Sequence, residues 1–236
     1  MDAAKSSPVK AGTVPGTTQK AETIKAVILD YGEVISYTPR SEEWQRMASF
    51  FNLDPREFRQ LWGKNRLAYD RGDISYQDYW SILADDARAR VQPEQLQKVG
   101  LLDLEMWGHI NSAMVDWVQQ LRSSGIKTGL LSNMPVEMIQ YSRQNFAWLK
   151  HFDHITFSAE VRLVKPEAGI YRHSIEGLGV VAREALFVDD KERNVEGARA
   201  VGLKALQFSS VGKFRNDLTM LEFPLLPLET NSPARS

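Results

Sequence analysis

From residue 125 to residue 208 the chain repeats one rhythm. Short apolar runs of strand length (126–131, 155–157, 185–188 and 203–208) alternate with longer runs of helical length (136–149, 167–177 and 192–201). Strands alternating with helices in this way make a parallel sheet whose crossovers cover its faces. One further run, AVIL at 26–29, comes a hundred residues earlier. It is apolar on both faces, as a buried parallel strand is. Alone it has nowhere to bury them, so it must join the same sheet.

Residues 41–122, between that strand and the rhythm, hold no convincing strand. Ser41 can cap a helix to about Phe51, with Glu42 and Glu43 in its first turn. Asp54-Pro55 supplies a cap and an N1 proline for a helix ending before Asp70. Ser75 opens another, with Tyr76, Tyr79, Trp80 and Ile82 on one stripe. Runs at 93–104 and 112–122 complete the set, the last closing at Gly125. The fold class is therefore α/β: a Rossmann-like parallel core at 23–36 and 123–226, with an all-helical cap inserted at 37–122. Residues 1–22 and 227–236 are small, polar and broken by proline, and are expected to be a disordered leader and tail.

Composition excludes several functions. There are 29 basic and 30 acidic residues and no basic block, which argues against nucleic acid as a partner. No apolar run reaches the roughly 18 residues of a membrane span, and residues 1–20 lack the apolar segment of a secretory signal. Cysteine is absent, which removes disulfides, thiol catalysis and cysteine-ligated metals. A cytoplasmic protein, monomer or homodimer, fits these facts.

In open α/β sheets ligands bind beyond the carboxyl ends of the strands. The first strand ends on Asp30, and the next on Ser132-Asn133 in LLSNMP. Lys165 follows the third in LVKPE, and Asp189-Asp190 ends the fourth in FVDD. Taken singly, each has a bland reading: an aspartate caps a loop, a lysine sits in water. Together they make a set for phosphoryl transfer. A carboxylate attacks phosphorus, oxygen ligands hold Mg²⁺, and a lysine and a hydroxyl gather the phosphoryl oxygens. Two adjacent aspartates at the end of a buried strand are costly unless a cation sits there.

In this order ILDYG, LLSN, KPE with a following IY, and FVDD resemble the motifs of the haloacid dehalogenase-like hydrolases. The resemblance spans 27–208 and leans toward sugar-phosphate phosphatases and the phosphatase domains of bifunctional epoxide hydrolases. It implies a Mg²⁺-dependent phosphatase of a small phosphorylated metabolite. Asp30 would be the nucleophile and, with the Gly32 carbonyl, a metal ligand. Asp189 would bind the metal, and Asp190 would bind or orient it. Ser132 would hold the phosphoryl group, Asn133 would support the nucleophile loop, and Lys165 would stabilise charge on Asp30 and the phosphate.

Gly32 departs from the family pattern, which usually has a second aspartate there to protonate the leaving group. General acid–base help is worth about 10²–10⁴-fold. Its absence implies esters with good leaving groups, such as sugar 1-phosphates, and a steep dependence of rate on leaving-group pKa. Glu33 is the nearest substitute acid in sequence. Two alternatives stand beside this reading. One is a protein of the same fold that binds without turnover. The other is a haloacid dehalogenase, which uses the same aspartate on carbon without a metal. Tyr37 and Arg40, in the first connection out of the core, are expected to face substrate or form the cap hinge. Lys64, Arg66 and Arg71 are basic residues that could meet an acidic substrate. His151 and His154 lie on the wrong side of the sheet for a metal site.

Overall fold

The computed structural model describes residues 23–228; the expected leader and residues 229–236 of the expected tail lie outside that range. Strand β1 (Ala26–Leu29) leads into a cap of five helices: α1 (Ser41–Ser49), α2 (Pro55–Lys64), α3 (Arg66–Arg71), α4 (Tyr76–Asp86) and α5 (Pro93–Glu105). Then come α6 (Ser112–Ser123), β2 (Lys127–Ser132), α7 (Val136–Asn145), β3 (His154–Phe157), α8 (Ser158–Val161) and α9 (Ala168–Leu178). The chain closes with β4 (Ala185–Asp189), α10 (Glu192–Ala200), β5 (Lys204–Gln207) and α11 (Val211–Met220). The five strands form one parallel sheet in the order β3-β2-β1-β4-β5.

β1 is central, and its pleat explains its unbroken apolarity. Val27 and Leu29 pack into one core cluster with the buried residues of α6 and α11, while Ala26 and Ile28 pack into another with α9 and α10. A third cluster, rich in aromatic side chains, is the cap's own core.

Several boundaries differ from the sequence expectation. The buried face of α6 (Met114, Trp117, Val118, Leu121) packs on the sheet, not in the cap cluster, so the cap side chains end before it. The helix expected to run to Asp70 breaks at Asn65 into α2 and α3. On α4 the stripe runs through Tyr79, Trp80, Leu83 and Ala84, and Ile82 is exposed. The helix expected over 136–149 gives way to a 3₁₀ turn, Ala147–His151. Pro227, placed in the tail, is buried, and its carbonyl accepts from Arg215.

The two strands of linker between cap and core pair with each other. Asn111 N–H donates to the Ile35 carbonyl at 2.8 Å and Tyr37 N–H to that of His109 at 2.7 Å. Opposite this hinge the cap is tied to the core by polar contacts. Ser158 Oγ donates to the Asp70 carbonyl at 2.5 Å, Tyr69 Oη to Glu137 at 2.9 Å, and Arg71 pairs with Glu167. The hinge and this seam hold the cap over the carboxyl ends of the strands.

Candidate active site

A cavity of about 320 Å³ lies between cap and sheet. Asp30, Gly32, Ser132, Asn133 and Lys165 line it from the core; Trp62, Arg66, Leu67, Asp70 and Trp107 line it from the cap.

Asp30 leaves β1 with its N–H bonded to the Val188 carbonyl at 2.9 Å, which fixes it to β4. Its Oδ1 accepts from the Tyr31 N–H and from Lys165 Nζ, each at 2.7 Å. Its Oδ2 accepts no hydrogen bond among the described residues. Burial, opposed by Lys165 and reinforced by Asp189 and Asp190, pushes the Asp30 carboxyl up to about 7.

Lys165 is 1% exposed and has a partner for each of its three protons: Asp30, Asp189 Oδ2 at 2.6 Å and the Leu131 carbonyl at 3.0 Å. Burial alone would lower the Lys165 ammonium; Asp189 and Asp30 outweigh it and hold the group above its ordinary value. Asn133 clamps this lysine. Its Oδ1 accepts from the Lys165 N–H at 2.8 Å and its amide donates to the Lys165 carbonyl at 3.1 Å. Asn133 is therefore linked to Asp30 through Lys165 and not through a direct bond.

Both oxygens of Asp189 are occupied. Asn194 Nδ2 donates to them at 2.9 and 3.0 Å, and the Lys191 N–H donates to Oδ1 at 2.9 Å. Burial opposes its charge, but Lys165 and these donors hold Asp189 below the usual carboxylate range. Asp190 is different. Its Oδ1 is enclosed without a partner, and burial, despite Lys191, raises its carboxyl to about 6. Oxygens of Asp30, Asp189 and Asp190 lie within 4.8 Å of one another. Two of these carboxylates pair with the Lys165 ammonium, and the third, Asp190, keeps an orphaned oxygen. That donor set, all hard oxygen, fits a divalent cation.

Tyr37 and Arg40 are not among the residues that line the cavity. They sit at the hinge, where Arg40 contacts His109 Nδ1 at 3.2 Å and Tyr37 Oη lies 3.5 Å from Asn111. Lys64 pairs with Asp86 on the cap surface and Arg71 with Glu167 at the seam; Arg66 alone of the three reaches the cavity.

Sequence reasoning missed Asn194, Lys191 and Arg193, which line the cavity from the start of α10. A polar first turn directly after the Asp189-Asp190 strand end was the available signal. Sequence reasoning counts Trp107 only among the cap aromatics, one or two of which could face the substrate, without singling it out. A Cβ added at Gly32 would sit 3.4 Å from the Trp107 ring, so the indole lies in van der Waals contact with the position where the family usually places its acid. Glu33, the acid nearest in sequence, is left-handed at φ 61° and is not a lining residue.

A model of the haloacid dehalogenase-like hydrolases matches residues 7–202. Sesquiterpene phosphatase astK of Aspergillus oryzae is 30% identical over 100 residues, 42% of this chain and only 50% of that protein. Phosphatase MT3486 of Mycobacterium tuberculosis is 25% identical over 201 residues, covering 82% of this chain and 91% of that one. Among solved structures, HAD family enzyme bt-2542 of Bacteroides thetaiotaomicron, in complex with magnesium and inorganic phosphate, superposes with a TM-score of 0.63. It is 22% identical and covers 79% of this chain and 94% of its own.

Proposed function

Because the chain belongs to the haloacid dehalogenase-like hydrolases, we propose that it is a Mg²⁺-dependent phosphatase of small phosphomonoesters that works through an aspartyl-phosphate on Asp30. The observation that carries this reading is the cluster of Asp30, Asp189 and Asp190 beside Lys165, with Asp30 and Lys165 lining the capped cavity. A dehalogenase needs no cation and would leave the surplus charge of that cluster unbalanced.

Asp30 Oδ2, free of hydrogen bonds, is the attacking oxygen. The Asp190 carboxylate, with its orphaned Oδ1, is the stronger candidate for direct metal contact, alongside Asp30 and the Gly32 carbonyl. Asp189, its oxygens held by Lys165, Asn194 and the Lys191 N–H, supports from behind. This order reverses the emphasis drawn from sequence. Bound Mg²⁺ supplies positive charge to the phosphoryl oxygens. Ser132 offers them a hydroxyl, and Lys165 holds Asp30 in place and shares the developing charge. The cap excludes bulk water from the intermediate.

For the leaving group, a sugar 1-phosphate suits the polar part of the cap wall, Arg66 and Asp70. A second reading rests on the apolar lining, Trp62, Leu67 and Trp107 from the cap and Met138 from α7 of the core. These side chains suit a hydrocarbon leaving group, and a relative named a sesquiterpene phosphatase adds weight to it. Relative kcat/KM on sugar 1-phosphates and prenyl monophosphates ranks the two.

The mechanism is tested by a beryllium fluoride adduct, followed by ¹⁹F NMR. The adduct is expected at Asp30, only with Mg²⁺ present, and absent in Asp30→Asn. No adduct in the wild type, with Mg²⁺ also failing to bind, would favour a binding protein of the same fold.

A further inference from the structure

The cap wall of the cavity carries a second buried charge cluster. Arg66 is 15% exposed at its side chain and pairs with two carboxylates: its Nε donates to Asp70 Oδ1 at 2.8 Å, and its Nη1 to Asp103 Oδ2 at 3.0 Å. The guanidinium also stacks on Trp62 at 4.4 Å. Asp103 is fully engaged, since its Oδ1 accepts from Trp62 Nε1 at 2.8 Å. Asp70 is not. Among the described residues no hydrogen bond reaches its Oδ2, and that atom is not one of the sealed orphan atoms of the interior. It is therefore open, and Asp70 lines the cavity.

Asp103 alone already balances Arg66. A second buried carboxylate leaves one negative charge in surplus, which is costly away from water. Either a cation or a proton must neutralise it. Lys191 lines the same cavity from the core and acts on Asp70 at a distance; among the described residues the two form no ion pair. The balance is visible in the acidity: burial, against Arg66 and Lys191 and with Asp103 adding repulsion, raises the Asp70 carboxyl to about 6. That lies close to the range in which a group both gives and takes a proton at neutral pH.

We propose that Asp70 is the proton donor to the leaving group, standing in from the cap for the carboxylate that Gly32 lacks. The proposal rests on the phosphatase reading above. Asp30 Oδ2 forms a bond to phosphorus as the bond from phosphorus to the leaving oxygen breaks, and the proton on Asp70 Oδ2 passes to that oxygen. Water then attacks the aspartyl-phosphate and gives a proton to Asp70. The bond from phosphorus to Asp30 breaks, phosphate leaves, and Asp70 is again protonated. Trp107 beside Gly32 fits this division of labour, because an indole from the cap occupies the flank of the glycine while the open carboxylate faces the cavity from α3.

The test compares wild type and Asp70→Asn on two esters with Mg²⁺: 2,4-dinitrophenyl phosphate, whose leaving group needs no proton, and a simple alkyl phosphate, whose leaving group does. Asparagine keeps an acceptor for Arg66, and the Asp70 backbone carbonyl keeps its bond from Ser158. In kcat/KM, which covers only the steps through departure of the leaving group, the variant is expected to stay within about threefold of wild type on the first ester and to fall about 10²–10⁴-fold on the second. The high-pH fall in wild-type kcat/KM on the alkyl ester should vanish with it. Equal loss of kcat/KM on both esters, or no loss on either, would overturn Asp70 as the donor while leaving the phosphatase intact. A wild type inert toward both esters would overturn the phosphatase reading, and the donor with it.

Discussion

Two buried charge clusters face one cavity from opposite walls, and they differ in what they lack. On the core wall Asp30 and Asp189 pair with Lys165, every proton of that ammonium is taken, and Asp190 adds a third carboxylate beside them. On the cap wall two carboxylates share Arg66, whose partner Asp103 is saturated. The core cluster is short by two positive charges and converges on one point, which suits a divalent ion. The cap cluster is short by one and has a single open oxygen, which suits a proton. One cavity thus brings together a site for an electrophile and a site for an acid, each implied by an uncompensated charge rather than by a motif.

The largest effect that would break the comparison is at Asp30. Asp30→Asn is expected to retain the fold and lose turnover in a steady-state assay. Retention of the wild-type rate would remove the nucleophile and with it the purpose of the core cluster.

Next is the metal. Asp190→Asn should weaken Mg²⁺ binding, read by calorimetry, more than Asn194→Ala, which acts through Asp189 and should cost about 10–100-fold. The reverse order would return the direct contact to Asp189. Asp70→Asn should leave Mg²⁺ affinity unchanged, because the cap cluster is not a metal site.

Stability separates the clusters further. The Asp70 carboxyl is raised in the folded protein, so the native state binds that proton more tightly than the unfolded chain. Its contribution is present below the unfolded value, 3.8, and is lost as pH rises through about 6. A shift of about two units corresponds to about 3 kcal/mol at most. Asp70→Asn should therefore stabilise the protein to denaturant at pH 7.5 and do little at pH 4, a gain bought at the expense of catalysis. Destabilisation at pH 7.5 would mean that the carboxylate is a needed counter-ion for Arg66.

The smallest effect concerns the space between Gly32 and Trp107. Gly32→Asp should cost about 1–3 kcal/mol by crowding Trp107, and Trp107→Ala should relieve part of that cost in a double-mutant cycle. Strict additivity would show that the indole does not occupy that space.

The sheet and its strand ends were legible because parallel strands buried on both faces read as unbroken apolar runs, and because the polar residue that ends each one is conspicuous. Asp30, Ser132, Asn133 and Lys165 come together at the cavity for that reason, with Asp189 and Asp190 meeting Asp30 behind it. What escaped depends on distance in sequence. The apolar stripe of α6 is the same whichever lobe it faces, so only the packing assigns it to the sheet. Tyr37 and Arg40 lie in the right connection, but the paired linkers turn them toward His109 and Asn111. Arg66, Asp70 and Asp103 look like ordinary charges on amphipathic helices. Nothing local in α3 or α5 says that one guanidinium serves two carboxylates across 37 residues of chain.

The most direct test is steady-state hydrolysis of p-nitrophenyl phosphate with Mg²⁺ and with EDTA, for wild type and Asp30→Asn. The expected result is turnover that EDTA abolishes, that excess Mg²⁺ restores, and that the variant lacks. Turnover unchanged by EDTA, or kept by Asp30→Asn, would contradict the assignment of the core cluster to a metal-assisted aspartyl nucleophile.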